Sequence, residues 1–321
     1  MVELMVAMAV SLLISLIALA SLGVARQGFS TVDVASQLRD NMRFTADMVR
    51  RQASQAGYKD TLFSTREPTP AEIAQNISAG IEGFNNALLA TGNDPLNASP
   101  PFTTRASGTD GFGSDVLIFR YQAVALPTGG TDNSVIDCNG NSINFISNTR
   151  NDRAVSILHV AMSQGEISLM CTYSTSGLAP FITQPLVQGV ENFQVLYGTD
   201  GVTPVGETPN PATSTPDSVP ERFLRADQMV VTGNASATQD NWRRVRSLRI
   251  GMVVRGPLNS QQERVAQTFY PFGNAKSSSS GSVGSALSSA NDQGTVFNAP
   301  ADGRLRQTLT FTVHLPNDQG L

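Results

Sequence analysis

Few side chains in this sequence are of the kinds that do chemistry. There are two histidines, His159 and His314, both inside runs that read as strands, where a packed or edge-strand histidine is the expected role. No HExxH, no paired CxxC and no nucleophile elbow is present. The stretch "GTDGFGSD" at 108–115 is glycine-rich, but it precedes a strand pattern instead of opening a helix. It therefore reads as a turn and not as a phosphate cradle. Asp132, Asn133 and Asp137 could approach a cation, yet the EF-hand spacing and its closing glutamate are missing. Arg243, Arg244, Arg246 and Arg249 follow Trp242 as the one basic cluster, which invites comparison with stacking-plus-phosphate nucleic-acid sites. The net charge of -4 and the strand-like spacing favour a solvated polar face instead. Neither a cofactor nor a resident metal is expected, and the chain reads as structural, not enzymatic.

Two further groups stand out. Cys138 and Cys171 form an even set, which in an exported chain reads as one disulfide; the other reading is two reduced, buried thiols. A bridge would close a loop of about 34 residues and stabilise by roughly 3–4 kcal/mol on chain-entropy grounds. Glu3 is a lone carboxylate at the mouth of an uncharged run covering residues 4–25. In the first turn of a helix a carboxylate is favoured by the dipole, and it could rest among lipid headgroups.

The elements that must position these groups fall into two parts. As a helix, residues 4–25 would be roughly 33 Å long, enough to cross a hydrocarbon core. From Arg26 the pattern turns amphipathic, with Val32, Ala35, Leu38, Met42, Val49, Ala53 and Ala56 on one face. Asp47 with Arg51, and Asp40 with Arg43, are spaced as helical ion pairs. Gly57 is the expected stop. The simplest reading is a single helix over residues 2–56, on the order of 80 Å long, half anchor and half spine.

After Tyr58 the helical period ends. Residues 64–114 read mostly as loop, with one short helix near 70–77. Strand patterns follow in "SDVLIFRYQAV", "NSINFISN", "AVSILHVAM", "GEISLMCTY", "QGVENFQVLYGTD", "DQMVVTG", "RVRSLRIGMVVRG" and "RLRQTLTFTVHL". The predicted fold is α+β: a long N-terminal helix over residues 1–57, with 4–25 as its transmembrane part, packed on an antiparallel β-sheet head over 58–321. Pro/Thr-rich residues 202–220 and Ser/Gly-rich residues 276–294 read as flexible loops.

The opening "MVELMVAMAVSLLISLIAL" resembles the start of a type IV pilin. "VASQLRDNMRFTADMVRRQASQAGYKD", with its Arg-Phe-x-x-Asp core and Ala-Gly-Tyr end, is similar to the PilW-like minor pilins. "GSDVLIFRY", "DCNGN" ahead of "LMC", "QPLVQGVENFQVLYGTD" and "DGRLRQTLTFTVHLPN" resemble segments of their heads. The family's basic leader, cut after a glycine to leave a methylated phenylalanine, has no counterpart in the sequence, so no cleavage or methylation site is assigned. Upstream DNA is expected to encode that leader in frame. Leader cations would also orient the N-terminus inward, whereas Arg26 and the later arginines, read alone, would place the body in the cytoplasm.

The resemblance implies a pilin-like fold and a structural role in a type IV pilus: priming assembly at or near the fibre tip and supporting adhesion and twitching motility. It implies residence in the inner membrane as a single-pass protein, then on the cell surface. The implied partners are other minor pilins, the major pilin and a PilY-type tip adhesin, with nucleic acid not expected. It also implies that Glu3 pairs with the N-terminal amine of a neighbouring subunit. Two rival readings are a type II secretion pseudopilin and a membrane-anchored binding module that never polymerises.

Overall fold

In a computed structural model of the chain, the described residues are 2–202, 217–274, 287 and 292–317. Most of the two predicted flexible loops, 203–216 and nearly all of 275–291, lies outside them. One helix, α1 (Val2–Gln55), runs without a break past Gly23 and Gly28. Its end is closed group by group, as a buried helix terminus requires. Ala56 N–H donates to Gln52 and Ala53 O, and Tyr58 N–H to Gln55 O. The Asn317 side chain, from the far end of the chain, donates to Ser54 O at 2.8 Å and Ala56 O at 3.1 Å. Gly57 takes a positive φ of 71°, which frees its N–H to reach Arg120 O at 2.9 Å and so seats the helix end on a strand.

Short helices α2 (Thr61–Ser64) and α3 (Pro70–Ala74) follow. Helix α3 is opened by a capping box between Thr69 and Glu72. The strands are β1 (Ile81–Phe84), β2 (Ala87–Leu89), β3 (Phe102–Thr104), β4 (Val116–Tyr121), β5 (Ala154–Ser163), β6 (Glu166–Ser174), β7 (Ile182–Gln188), β8 (Val190–Thr199), β9 (Arg222–Leu224), β10 (Val245–Arg255), β11 (Gln267–Phe269), β12 (Phe297–Ala299) and β13 (Arg306–His314). Helix α4 (Ala235–Arg243) lies between β9 and β10.

All the named strands pair antiparallel, in two main sheets of order β1-β4-β5-β6-β7 and β13-β10-β8-β9, plus the ribbons β2-β3 and β11-β12. A single residue, Gly189, carries the chain from the edge of the first sheet into the middle of the second. A Cβ there would stand 2.3 Å from Arg255 O, and φ is 82°, so only glycine fits. Strand β4 is buried on both faces. Leu117 and Phe119 face the main core, which also holds Val34, Leu38 and Val49 of α1 and Phe193 and Ile250 of the second sheet. Val116 and Ile118 face a smaller cluster under β2.

The architecture agrees with the α+β reading. Several local expectations differ. Residues 64–114, expected mostly as loop, carry β1, β2 and β3. "NSINFISN" forms no strand, only the isolated Ile136–Ser142 bridge, because the disulfide and side-chain bonds hold this segment as a loop. "DQMVVTG" is a 3-10 turn (Ala226–Met229), capped by Gln228 accepting from Arg225 N–H, with Met229 buried. Asp47 pairs with Arg50 at 2.8 Å in place of Arg51.

Candidate functional site

Residues 2–23 of α1 keep every side chain exposed, and large apolar groups such as Leu4, Leu13 and Ile17 point away from the rest of the chain. Helix geometry lets their backbone satisfy its own hydrogen bonds, which an apolar surrounding demands. The serines do the same: Ser11 Oγ donates to Met8 O at 3.0 Å and Ser15 Oγ to Ser11 O at 2.8 Å. The span is long and apolar enough to cross a membrane by length and composition. Glu3 is the acid of the first turn, exposed, and has no hydrogen-bond or ion-pair partner among the described residues. Val6, Val10 and Ile14 line the same shallow face beside it. A carboxylate there stays solvated alone, but covering that face with another apolar rod is costly unless the carboxylate is paired or protonated.

The second half of the helix is bound to the head. Val34, Leu38, Met42, Val49 and Ala53 are buried, whereas Val32, expected on this stripe, is exposed and Val34 takes its place. Val34 fits against Gly256, where a Cβ would come within 2.6 Å of it. Cys138 and Cys171 are joined in a disulfide, Cα–Cα 5.8 Å, both buried. The loop it holds is fastened to the helix end: Ile136 N–H donates to Gln55 Oε1 at 2.7 Å, and Gln52 and Gln55 Nε2 donate to Ile136 O. Helix end, loop and β6 thus form one covalent and hydrogen-bonded clamp.

The remaining sequence candidates scatter. His159 is buried on β5, its Nε2 2.9 Å from Thr172 Oγ1, and burial lowers its pKa to about 3, with Arg105 adding to the shift. His314 is exposed at the end of edge strand β13. Residues 108–115 form turns whose end zips onto the open edge of β8. Asp115 N–H donates to Phe193 O at 2.7 Å, and its carboxylate accepts from Val195 N–H at 2.8 Å and Asn86 N–H at 3.0 Å. Burial nonetheless holds the Asp115 pKa well above the usual range. Asp137 accepts from the Asn139 and Asn141 amides, and Asp132 from Ser134, so both carboxylates serve loop turns. Trp242 is buried edge-on to Tyr197, ring centroids 4.7 Å apart, and offers no stacking face. Arg243 and Arg244 end α4 instead of lying on a strand, and Arg249 covers the Phe223 ring at 5.8 Å.

Two polar constellations escaped the sequence reading. Buried Glu191 of β8 accepts from Arg306 of β13 at 2.6 Å and from Arg255 of β10 at 2.9 Å, and Arg255 continues to Glu166 of β6 at 2.6 Å. This chain of charges crosses from one sheet to the other. A carboxylate among the buried positions of "QGVENFQV" was its one available signal. Asp200, Asp217 and Glu221 bring carboxylate oxygens within 4.8 Å of one another and, among the described residues, are a group that could hold a cation. Arg246, 3.8 Å from Asp200, already opposes part of that charge.

A family model described as type IV pilus-assembly protein W matches residues 157–317, from within β5 to just beyond β13. Among solved structures, a type IV-like pilin from Thermus thermophilus aligns with 88% of this chain and 98% of its own, at 14% identity and a TM-score of 0.38. No curated protein matches the chain.

Proposed function

This chain belongs to the PilW family of type IV pilus-assembly proteins, and from that premise we propose that it is a minor pilin that primes the fibre and sits at or near its tip. The supporting observation is the division of α1: an apolar half exposed among the described residues, continued by a half locked onto the head. Before assembly the free half crosses the inner membrane once, with the head on the periplasmic side. In the fibre the same half leaves lipid and packs among the equivalent helices of other minor pilins and the major pilin. A PilY-type adhesin is the partner proposed for the head.

Glu3 acts as the register device. Its carboxylate, held beside Val6 and Val10, gains a strong partner when the cationic N-terminal amine of a neighbouring subunit arrives, because water is excluded as the rods close. The head's role is structural, not catalytic. Glu3→Ala at matched protein level is expected to leave the inner-membrane fraction unchanged. It should lower recovery in sheared surface fibres by about tenfold or more, the loss of a preference of about 1.4 kcal/mol or larger. Equal recovery of the variant and the wild type removes the register role. Absence of the wild-type protein from sheared fibres favours a membrane-anchored binding module.

A further inference from the structure

Below the C-terminal end of α1, the arginines outnumber their carboxylate partners among the described residues. Arg120 pairs with Glu82 at 2.9 Å and Arg243 with Asp240 at 2.6 Å. Arg150 donates from Nη2 to Arg66 O, stands over the Phe63 ring at 5.9 Å and lies 3.6 Å from Glu72, which is already held by Arg66 at 2.6 Å. Arg153 has no ion pair and no side-chain hydrogen bond among the described residues. The other nearby carboxylates are engaged: Asp60 accepts from the Leu62 and Ala125 amides, and Asp152 from the Asn148 and Thr149 amides. Arg120 Nη1 and the Nε atoms of Arg150, Arg153 and Arg243 are all buried without an acceptor. Burial, with Arg120 and Arg243 adding repulsion, lowers the Arg153 pKa to about 9 despite Glu82 nearby.

Arg150 and Arg153 line one recess, together with Lys59, Ser78 and Gln122. Its volume is about 360 Å³ including the mouth; the enclosed part has room for little more than a water-sized group, so an anion is met at the mouth. Buried N–H donors without acceptors are rare, and a guanidinium presents a planar fork that matches a carboxylate. We propose that this recess is a carboxylate-binding site, with Arg153 as the residue that holds the anion and Arg150, fixed to Arg66 O, beside it. The carboxylate is either a free small acid or an acidic side chain of a protein partner inserted from the mouth. The inference stands on the head alone and does not depend on fibre assembly.

The test is thermal unfolding of the full chain in detergent, followed by Trp242 fluorescence, with sodium acetate exchanged for sodium chloride at constant ionic strength. The wild type should show a saturable rise in Tm, about 5 °C at about 100 times Kd. Arg153→Met should lose the acetate-specific rise while melting in chloride no earlier than the wild type, since it removes a half-buried charge that has no ion pair among the described residues. Arg249→Met, outside the recess, should keep the rise. Should Arg153→Met fail to fold, Arg153→Lys, which keeps the charge but not the fork, is expected to weaken acetate binding by about tenfold. Triglutamate as a second probe separates the sources: tighter binding than acetate identifies a protein carboxylate, and weaker binding a free small acid. Identical melting of the wild type in acetate and chloride, or an acetate response retained in Arg153→Met or undiminished in Arg153→Lys, overturns the proposal.

Discussion

The two halves of α1 share one backbone and have opposite surroundings. Around Leu13 the helix is exposed among the described residues, whereas around Leu38 it is part of the core. Leucine, alanine and methionine favour helix in both places. In the free half, the backbone must satisfy itself because lipid or neighbouring rods cannot. In the docked half, most of the stability comes from burial of one stripe. Secondary structure is therefore common to both halves, and the identity of the partner is what separates them: the head for one, an external apolar phase for the other.

The widest separation is expected from paired truncations. Leu38→Ala should lower the stability of the head by about 2–5 kcal/mol in urea unfolding monitored through buried Trp242, while Leu13→Ala should leave it within about 0.5 kcal/mol. Equal effects would mean that the free half is folded against the head in solution. Next, replacing both Cys138 and Cys171 with serine should cost about 2–4 kcal/mol, since the bridge spans a sequence separation of 33. Hydrogen exchange at the Ile136 amide should rise with it, because that amide is clamped to Gln55.

Acid should distinguish the halves by a smaller amount. The His159 pKa is lowered from 6.5 to about 3 in the folded head, so the unfolded chain binds the extra proton as pH falls. Its contribution is full above pH 6.5 and is lost progressively toward pH 3, about 2 kcal/mol between pH 7 and pH 5. His159→Gln should flatten that part of the urea-midpoint profile, while the helicity of residues 2–23 in detergent stays constant. The smallest effect belongs to Asn317→Ala, which uncaps Ser54 and Ala56 O and should cost about 1 kcal/mol. It should loosen the end of the docked half and leave the free half unchanged.

The rod was almost wholly legible in the sequence: its extent, its change from apolar to amphipathic near Arg26 and its stop at Gly57 match α1 closely. The stripe was read with one slip, Val32 for Val34, because three- and four-residue steps leave a helix face uncertain by a residue. The head was legible strand by strand in its long, β-branched runs. It was not legible where a short segment is shaped by distant groups, as at Ile136 and Met229. Helix α4 was missed although Asn234 caps it by accepting from Ala237 N–H, a signal hidden by the surrounding polar residues. Edge strand β7, with a proline and mostly exposed side chains, carried little apolar pattern.

The sequence by itself determined the long helix, the exposed carboxylate at its mouth and the antiparallel character of the head. These depend on residues a few positions apart, whose spacing is written directly in the chain. Only the tertiary structure decided that the strands divide into two sheets at Gly189, that Glu191 gathers Arg255 and Arg306, and that Arg150 and Arg153 line one recess. Glu191 and Arg306 stand 115 positions apart, and no local period encodes a meeting at that distance. It arises only when burial has chosen which strands are neighbours.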